Sequence, residues 1–415
     1  MKYLYFVAAF CLGALVPVAT AATTDLKLKE ALQKTIKNNP ELLEYDYKIR
    51  AAGALIEQAE FSANPRVSAE IENFAGSGRL EGISNSELTV SFSQLIELGD
   101  KRQLRVEAAT EKEKAQRAEF EYRQIEVLAE TTQRFYDILK LQQVAHTSER
   151  QIQRTERLIK VAQERVEAGA VPKSEVIRIK LQLERQYAFS DELNGKLKKQ
   201  QAELASMWAG ELNFKRVSGD FTFPLSLPEK ANVLSAVNRA PEYLRLLDSE
   251  QLLQAQARAL AADSKSDITV GVGARYNNEF DDVGLIVQAS MPLQFTDPNV
   301  GRIKQSRLLH QSILAQQKQV RQQLKSLALS LVHSLQTHQS YLQKINQRLM
   351  PLSEQLLEQT QQGYARGTHS LLQVLDAQTE LAKLEYEKVS RKHAIYSDII
   401  ELERMTGQPF LGVQQ

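Results

Sequence analysis

The last third of the chain carries the longest regular pattern of apolar and polar residues. From Leu324 to Leu356, apolar or small residues recur at alternating spacings of three and four, as along the seam of a coiled coil, and His338 is the one interruption. The pattern ends at residues 363–369, and a second periodic run begins at Leu371. A long helix, a tight turn at Gly367 and a returning helix are therefore predicted to form an antiparallel hairpin.

Four shorter stretches alternate strictly between apolar and polar residues. In the first of them, Val67, Ala69 and Ile71 alternate with polar side chains. This period of two is typical of a strand that has one apolar face. Strands are predicted at about residues 66–74, 86–97, 267–278 and 283–295.

The same order of elements occurs twice. Each half contains a helix, two strands, a long helix and a return helix, which indicates a tandem duplication. We predict a first repeat over 22–215 and a second over 216–415. In the first, a long helix at about 99–168 and a return helix at about 173–209 meet at Gly169, and in the second the matching helices lie at about 299–366 and 369–406. Pro351 lies inside the second long helix and is expected to bend it.

Composition and the N-terminal stretch restrict the compartment. Lysine and arginine number 52 against 51 acidic residues, so no basic surplus points to nucleic acid. Residues 1–21 combine Lys2, an apolar run and a small-residue site at Ala19–Ala21, which predicts a secretory signal peptide rather than a membrane anchor. The single cysteine, Cys11, falls inside it. We therefore expect an exported mature chain with no disulfide and no thiolate metal site.

The four strands require a partner. Amphipathic strands of about ten residues have the length and alternation of membrane-spanning barrel strands. Four strands cannot close a barrel, and an open edge in lipid leaves backbone groups unpaired. Barrels usually need about eight strands or more, so at least two chains must contribute. The alternative is a soluble coiled-coil protein with two β-hairpins, which leaves the two-faced strands and the export signal unexplained.

In this order of helices and strands, the chain resembles the TolC family of outer-membrane efflux channels over essentially its whole mature length. Within that family, Glu72-Asn73-Phe74 before a glycine loop and residues 94–102, QLIELGDKR, are similar to the CzcC branch, which serves heavy-metal exporters of the resistance-nodulation-division (RND) type. The resemblance implies a mainly α protein with a membrane β-barrel portion. Three copies would join twelve strands in one outer-membrane barrel and continue it as a hollow α-helical barrel across the periplasm. It also implies two partners, a periplasmic adaptor and an inner-membrane RND pump.

The resemblance extends to the stretch that carries the gate of these channels. Tyr364 matches the family's gate tyrosine and His369 stands at the position of an arginine. Gln373 and Asp376 stand at two acidic positions, so the carboxylate ring that three copies of Asp376 would form, attracting cations, is weaker than in the family.

The equivalent turn of the first repeat places Ser174 and Glu175 where the partners of the gate residues are expected. Our hypothesis is that His369 and Tyr364, held against Ser174 and Glu175, keep the closed state together. A histidine at this tie would make it pH-sensitive. The alternative is that these are ordinary polar residues at a helix turn.

Basic residues follow the second and fourth strands, although cations in the first turns of a helix oppose its dipole. We expect them to contact phosphate headgroups of the inner leaflet, the alternative being a solvated basic face. The residues are Lys101, Arg102, Arg105, Arg302, Lys304 and Arg307.

No arrangement of catalytic residues stands out, so no enzyme and no cofactor are predicted. The histidines are scattered and form no i, i+4 pair, so no bound metal is expected either. The prediction is a passive duct for divalent heavy-metal cations. The alternatives are the same duct serving drugs or type I protein secretion, and a periplasmic coiled-coil adaptor or scaffold.

Overall fold

The structure is a computed structural model that describes residues 25–221, 227–293, 295–297 and 299–410. The predicted signal peptide at 1–21 and Cys11 lie outside the described residues. So do parts of the predicted second repeat, including one residue of its last predicted strand.

Nine helices and six strands are found in the described ranges. The strands are β1 Leu26–Lys27, β2 Arg66–Glu72, β3 Glu87–Ile96, β4 Val217–Ser218, β5 Ile268–Asn277 and β6 Asp282–Ser290. The helices are α1 Leu28–Asn38, α2 Pro40–Glu60, α3 Lys101–Glu167, α4 Lys173–Ser206, α5 Lys230–Ala236, α6 Pro241–Asp263, α7 Val300–Lys344, α8 Met350–Arg366 and α9 Leu371–Thr406.

The long helices begin and end where the sequence supplies the right backbone conformations. Gly99 and Asp100 both take left-handed conformations directly before α3, which turns the chain sharply out of β3. With its 67 residues, α3 is on the order of 100 Å long. Between α7 and α8 the helix continues as a π turn over Ile345–Leu349. Since Pro351 lacks an N–H group and its ring crowds the preceding turn, a local widening just before it has a direct cause.

Four strands form one antiparallel sheet in the order β2-β3-β5-β6. The central pair joins the two halves of the chain, with Phe92 opposite Val272. Among the described residues, the outer strands β2 and β6 each have one neighbour, so both outer edges of the sheet are unpaired there.

The sheet has one apolar and one polar face, and the apolar face is the exposed one. Leu285 and Val287 on β6 are 89% and 84% exposed. On the polar face the middle of β3 is covered, and Thr89 and Ser91 are 8% and 7% exposed. An apolar face that is more exposed than the middle of the polar face is the reverse of the usual arrangement in a water-soluble protein.

The helices pack side by side, with α3 against α1, α2, α4, α6 and α9. One core cluster surrounds Phe135 and Trp208 beside the short parallel pair β1–β4. A second surrounds Leu335 and Ile399 between α7 and α9. Among the described residues, no helix has a stretch apolar and long enough to cross a lipid bilayer.

Candidate functional site

The first helical hairpin turns at Gly169. This residue takes a left-handed conformation with φ of 71°, which favours glycine at the end of a helix. The N–H of Ala170 donates to the carbonyl of Arg165 at 2.8 Å and closes the last turn of α3. Pro172 then precedes α4 with an extended backbone.

The second hairpin turns at Gly367, whose φ is 83°. The carbonyl of Gly363 accepts from the N–H groups of Thr368 at 2.9 Å and His369 at 3.2 Å, and these bonds close the last turn of α8. Ser370 and Gln373 then form a capping box at the start of α9, in which the N–H of Ser370 donates to Oε1 of Gln373 at 2.8 Å.

The two hairpin ends pack on each other through a separate small core. Its buried members come from α3, α4, α8 and α9, so the core fixes each hairpin end relative to the other. They are Leu158, Ala162, Ile179, Tyr364, Leu371 and Val374.

Tyr364 is the polar centre of this contact. It is 1% exposed, and its hydroxyl donates to Oε2 of Glu175 at 2.7 Å. The guanidinium of Arg165 lies 4.5 Å from the centre of the Tyr364 ring, and its Nη1 donates to the Tyr364 carbonyl at 2.5 Å. A cation over the ring, a carboxylate on the hydroxyl and a donor on the carbonyl therefore link α3, α4 and α8 at one residue.

This environment keeps Tyr364 protonated. Burial, together with the hydrogen bond to Glu175 and its charge, raises the pKa of Tyr364 to about 12, although Arg165 acts in the opposite direction. The hydroxyl is thus a hydrogen-bond donor throughout the neutral range.

The side chain of His369 lies within its own turn, and its predicted role at the gate stays a prediction. Its ring packs on Gly363 in its own turn, so that a Cβ added to Gly363 would lie 1.9 Å from Nδ1. Nδ1 lies 3.3 Å from the hydroxyl oxygen of Thr368. The His369 side chain is thus used within its own turn, and of the predicted pairings the one formed is that of Tyr364 with Glu175. Ser174 is exposed one residue away.

Gln373 and Asp376 lie on an exposed face of α9. Gln373 has a local task, because its side chain closes the capping box. Glu380 lies one helical turn beyond Asp376 on the same exposed face. The carboxylates on this face are therefore Asp376 and Glu380, and the second was missed although its i+4 spacing is legible in the sequence.

Arg165 is the main residue of the site that the sequence reading missed. The sequence carries one indication of its role: Arg165 lies in the last turn of α3, where a cation interacts favourably with the helix dipole. What the sequence could not supply is that the end of α3 lies against Tyr364, 199 positions away.

The basic residues after β3 have hydrogen-bond partners within the protein. The Lys101 ammonium is 8% exposed and donates to the Lys265 carbonyl at 2.6 Å and to Oδ1 of Asp267 at 2.8 Å. Arg105 pairs with both carboxylate oxygens of Glu97, at 2.8 and 3.2 Å.

Arg105 also caps the end of a neighbouring helix. It donates to the carbonyls of Ala59 and Phe61 at the end of α2, both at 3.2 Å. Arg102 is exposed and donates to the hydroxyl of Ser62 at 3.2 Å. Arg105 thus satisfies helix-terminal carbonyls within the chain, and contact of this cluster with headgroups stays a prediction.

In the second repeat the matching basic residues have a different environment. Arg302, Lys304 and Arg307 are all exposed at the start of α7. For these three, contact with headgroups stays a prediction. In the described part of the chain, no three His, Cys, Asp or Glu side chains lie close enough together to hold a metal ion.

Comparison with known proteins gives this architecture its class. The solved outer membrane protein VceC from Vibrio cholerae shares the fold with a TM-score of 0.77 at 16% identity, over 92% of this chain and 96% of that one. The fold is that of solved outer-membrane channels, as the sequence predicted.

Sequence comparison then shows which family and which proteins the chain is similar to. Residues 31–210 match the family described as outer membrane efflux protein. The cobalt-zinc-cadmium resistance protein CzcC of Cupriavidus metallidurans is 23% identical over 395 residues, 93% of this chain and 91% of that protein. The nickel and cobalt resistance protein CnrC of the same organism is 34% identical over 94 residues, 22% of each chain. Over residues 31–210 the chain is thus similar to the outer membrane efflux protein family, and over nearly its whole length it is similar to CzcC.

Proposed function

We propose that this chain is the exit duct of a tripartite efflux system, in which three copies close one barrel in the outer membrane and conduct divalent heavy-metal cations outward. The observation that carries the proposal is the four-stranded sheet with an exposed apolar face, a polar face that is covered at the middle of β3, and two outer edges unpaired among the described residues. Lipid on the apolar side and water on the polar side match both faces, and closure with further copies satisfies both edges.

The helical part supports the same closure. Helix α4 exposes Ile177 and Leu181, and α8 exposes Leu352 and Leu356. Each pair has the i, i+4 spacing of one helix face. Within the chain α4 packs chiefly on α3 and α8 chiefly on α9, so these two apolar stripes lie at the outer sides of the helical layer. Their burial against neighbouring copies would extend the ring from the sheet into the helices.

The hairpin ends are the proposed gate. The Arg165–Tyr364–Glu175 contact holds the two hairpins of one chain in a fixed arrangement, and the exposed carboxylates of Asp376 and Glu380 would line the constriction. Opening would require the hairpin ends to separate or shift, and therefore this contact to break. An adaptor and an inner-membrane pump of the RND type are the proposed partners.

The proposed cargo is inferred from the names of two relatives. CzcC and CnrC are named for resistance to cobalt, zinc, cadmium and nickel. Carboxylates in a narrow aqueous passage raise the local concentration of cations. Cations would pass through the duct without being held in a ligand cage.

The proposal is tested by deleting the gene and measuring growth with zinc, cobalt, cadmium, copper or silver, beside antibiotics and bile salts. Sensitivity to metals alone, restored by the wild-type gene, is expected. Sensitivity to drugs or bile salts with normal metal tolerance would retain the duct and contradict the metal cargo. A soluble periplasmic product would favour the adaptor or scaffold alternative and contradict the duct.

A further inference from the structure

Two carboxylates face each other at the end of the sheet that is distant from the helices. Glu72 is the last residue of β2, and its partner in the register is Glu87, the first residue of β3. Like charges in directly opposed positions of an antiparallel pair destabilise it. Glu72 also opens the Glu72-Asn73-Phe74 motif, for which the duct proposal alone gives no role.

Arg275 of β5 resolves this conflict. Its Nη2 lies 3.1 Å from Oε2 of Glu72, its Nη1 donates to Oε2 of Glu87 at 3.0 Å, and its Nε donates to the hydroxyl of Thr89 at 3.0 Å. The side-chain amide of Asn277 donates to the other Glu87 oxygen at 2.9 Å. One guanidinium thus bonds all three strands, which uses the planar fork that lysine lacks.

The charges around Arg275 are strongly unequal. In the half of the polar face that is distant from the helices, the strands carry the four carboxylates of Glu70, Glu72, Glu87 and Asp282. Arg275 supplies the one guanidinium on this half of the strands. The Arg275 and Glu72 side chains are 40% and 42% exposed, so their charges are accessible to the solution on the polar face of the sheet. The guanidinium therefore determines how negative this end of the duct is.

We propose that Arg275 is a specificity-determining residue that sets the ion selectivity of the outer opening, an inference that rests on the proposed duct function. By neutralising part of the carboxylate charge, it keeps the opening selective for cations without retaining them. The Glu72-Asn73-Phe74 motif takes its place in this arrangement: Glu72 binds Arg275, and Asn73, in a left-handed conformation with φ of 55°, ends the strand directly after it.

The test is the zero-current potential of the purified channel in a planar bilayer under a potassium chloride gradient. Arg275→Gln is expected to raise the potassium-to-chloride permeability ratio by roughly fivefold, the factor that a unit charge about 4 Å away contributes in water. The matched control is Arg275→Lys, which keeps the charge, loses the fork and should retain the wild-type ratio. The double variant Glu72→Gln/Glu87→Gln should lower the ratio and replaces Arg275→Gln if the latter does not fold.

Three outcomes overturn the inference. An unchanged ratio in Arg275→Gln, or an unchanged ratio in the double variant, shows that these charges do not act on permeating ions. An equal rise in Arg275→Gln and Arg275→Lys shows that the residue acts only through strand geometry. If the wild-type protein forms no channel, the duct function itself falls, whereas a conducting wild type with an unresponsive Arg275→Gln removes this inference alone.

Discussion

Gly363 shows how one residue in a helix can be fixed by a side chain of the following turn. The imidazole of His369 occupies the space that a Cβ at this position would need, at 1.9 Å from Nδ1. A helical glycine is normally a weak point, and replacing it with alanine stabilises a protein by roughly 0.5–1 kcal/mol. Here the sign should be reversed.

We therefore expect Gly363→Ala to lower the midpoint of thermal unfolding. Gly195→Ala is the matched control, because Gly195 lies in α4 with nothing within 4 Å of its added Cβ, and it should raise the midpoint. The double variant Gly363→Ala/His369→Ala should recover the loss. A higher midpoint in Gly363→Ala alone would refute the packing of His369 described above.

The contact at Tyr364 gives a second prediction at this scale. Tyr364→Phe keeps the ring under Arg165 and removes the hydrogen bond to Glu175, a loss of about 1 kcal/mol because the carboxylate is only partly buried. If the contact restrains the hairpin ends, single-channel recordings should show more frequent openings. Tyr386→Phe is the control, since its hydroxyl donates to Gln151 at 2.9 Å away from the hairpin ends. Closed channels in both Tyr364→Phe and Arg165→Gln would refute the restraint.

The raised pKa of Tyr364 predicts where this contact depends on pH. A tyrosine ordinarily titrates near 10, and here the pKa is raised to about 12. The stabilisation is therefore fully present below about 10 and is lost as the pH rises through about 12. A tyrosinate absorbance titration of wild type minus Tyr364→Phe should contain one late group. A difference curve centred near 10 would show that the residue is solvated.

At the scale of elements, helices and strands were largely readable from the sequence because each has a period of its own. Alternation indicated β5 as clearly as three- and four-residue spacing indicated α7, and Gly367 marked the end of α8. The π turn was not foreseen as such, although Pro351 marked its neighbourhood. Contacts between elements were harder: Arg165 reaches Tyr364 and Lys101 reaches Asp267 only through the packing of distant segments.

The junction between sheet and helices yields a prediction from Lys101. Lys101→Met removes the donor of the Lys265 carbonyl and one of the donors of the Asp267 carboxylate, which keeps the N–H of Leu98, so we expect a loss of about 2 kcal/mol in the free energy of unfolding. Lys304→Met is the control at an exposed position of α7, and it should change stability by less than about 0.5 kcal/mol. Urea denaturation in detergent would measure the free energy of unfolding of both variants. Equal effects would favour lipid contact for Lys101.

At the scale of the whole molecule, the two faces of the sheet predict which substitutions prevent membrane insertion. Val287→Arg on the exposed apolar face should cost about 2–4 kcal/mol near the middle of the bilayer and deplete the outer-membrane fraction. Gln288→Arg, the next residue on the polar face, is the control and should insert normally. Equal amounts of both in that fraction would contradict the assignment of the faces.

The number of copies does not follow from the sequence pattern alone. Alternation and the unpaired edges demanded more than one chain, and three came only from the resemblance to a family. The edges β2 and β6 are the surfaces where the copies would meet, and antiparallel order is preserved if β6 of one copy pairs with β2 of the next.

The most direct test of the central claim is therefore a covalent link across that seam. The one cysteine of the sequence, Cys11, lies in the predicted signal peptide, so engineered thiols would report alone. Ala69→Cys on β2 is combined in turn with Leu285→Cys, Val287→Cys or Ala289→Cys on β6, and outer-membrane fractions are oxidised. We predict a ladder of one, two and three chains that stops at three in at least one register, and no ladder in any single variant. Monomers in every combination, or a ladder continuing past three, would contradict a closed ring of three copies.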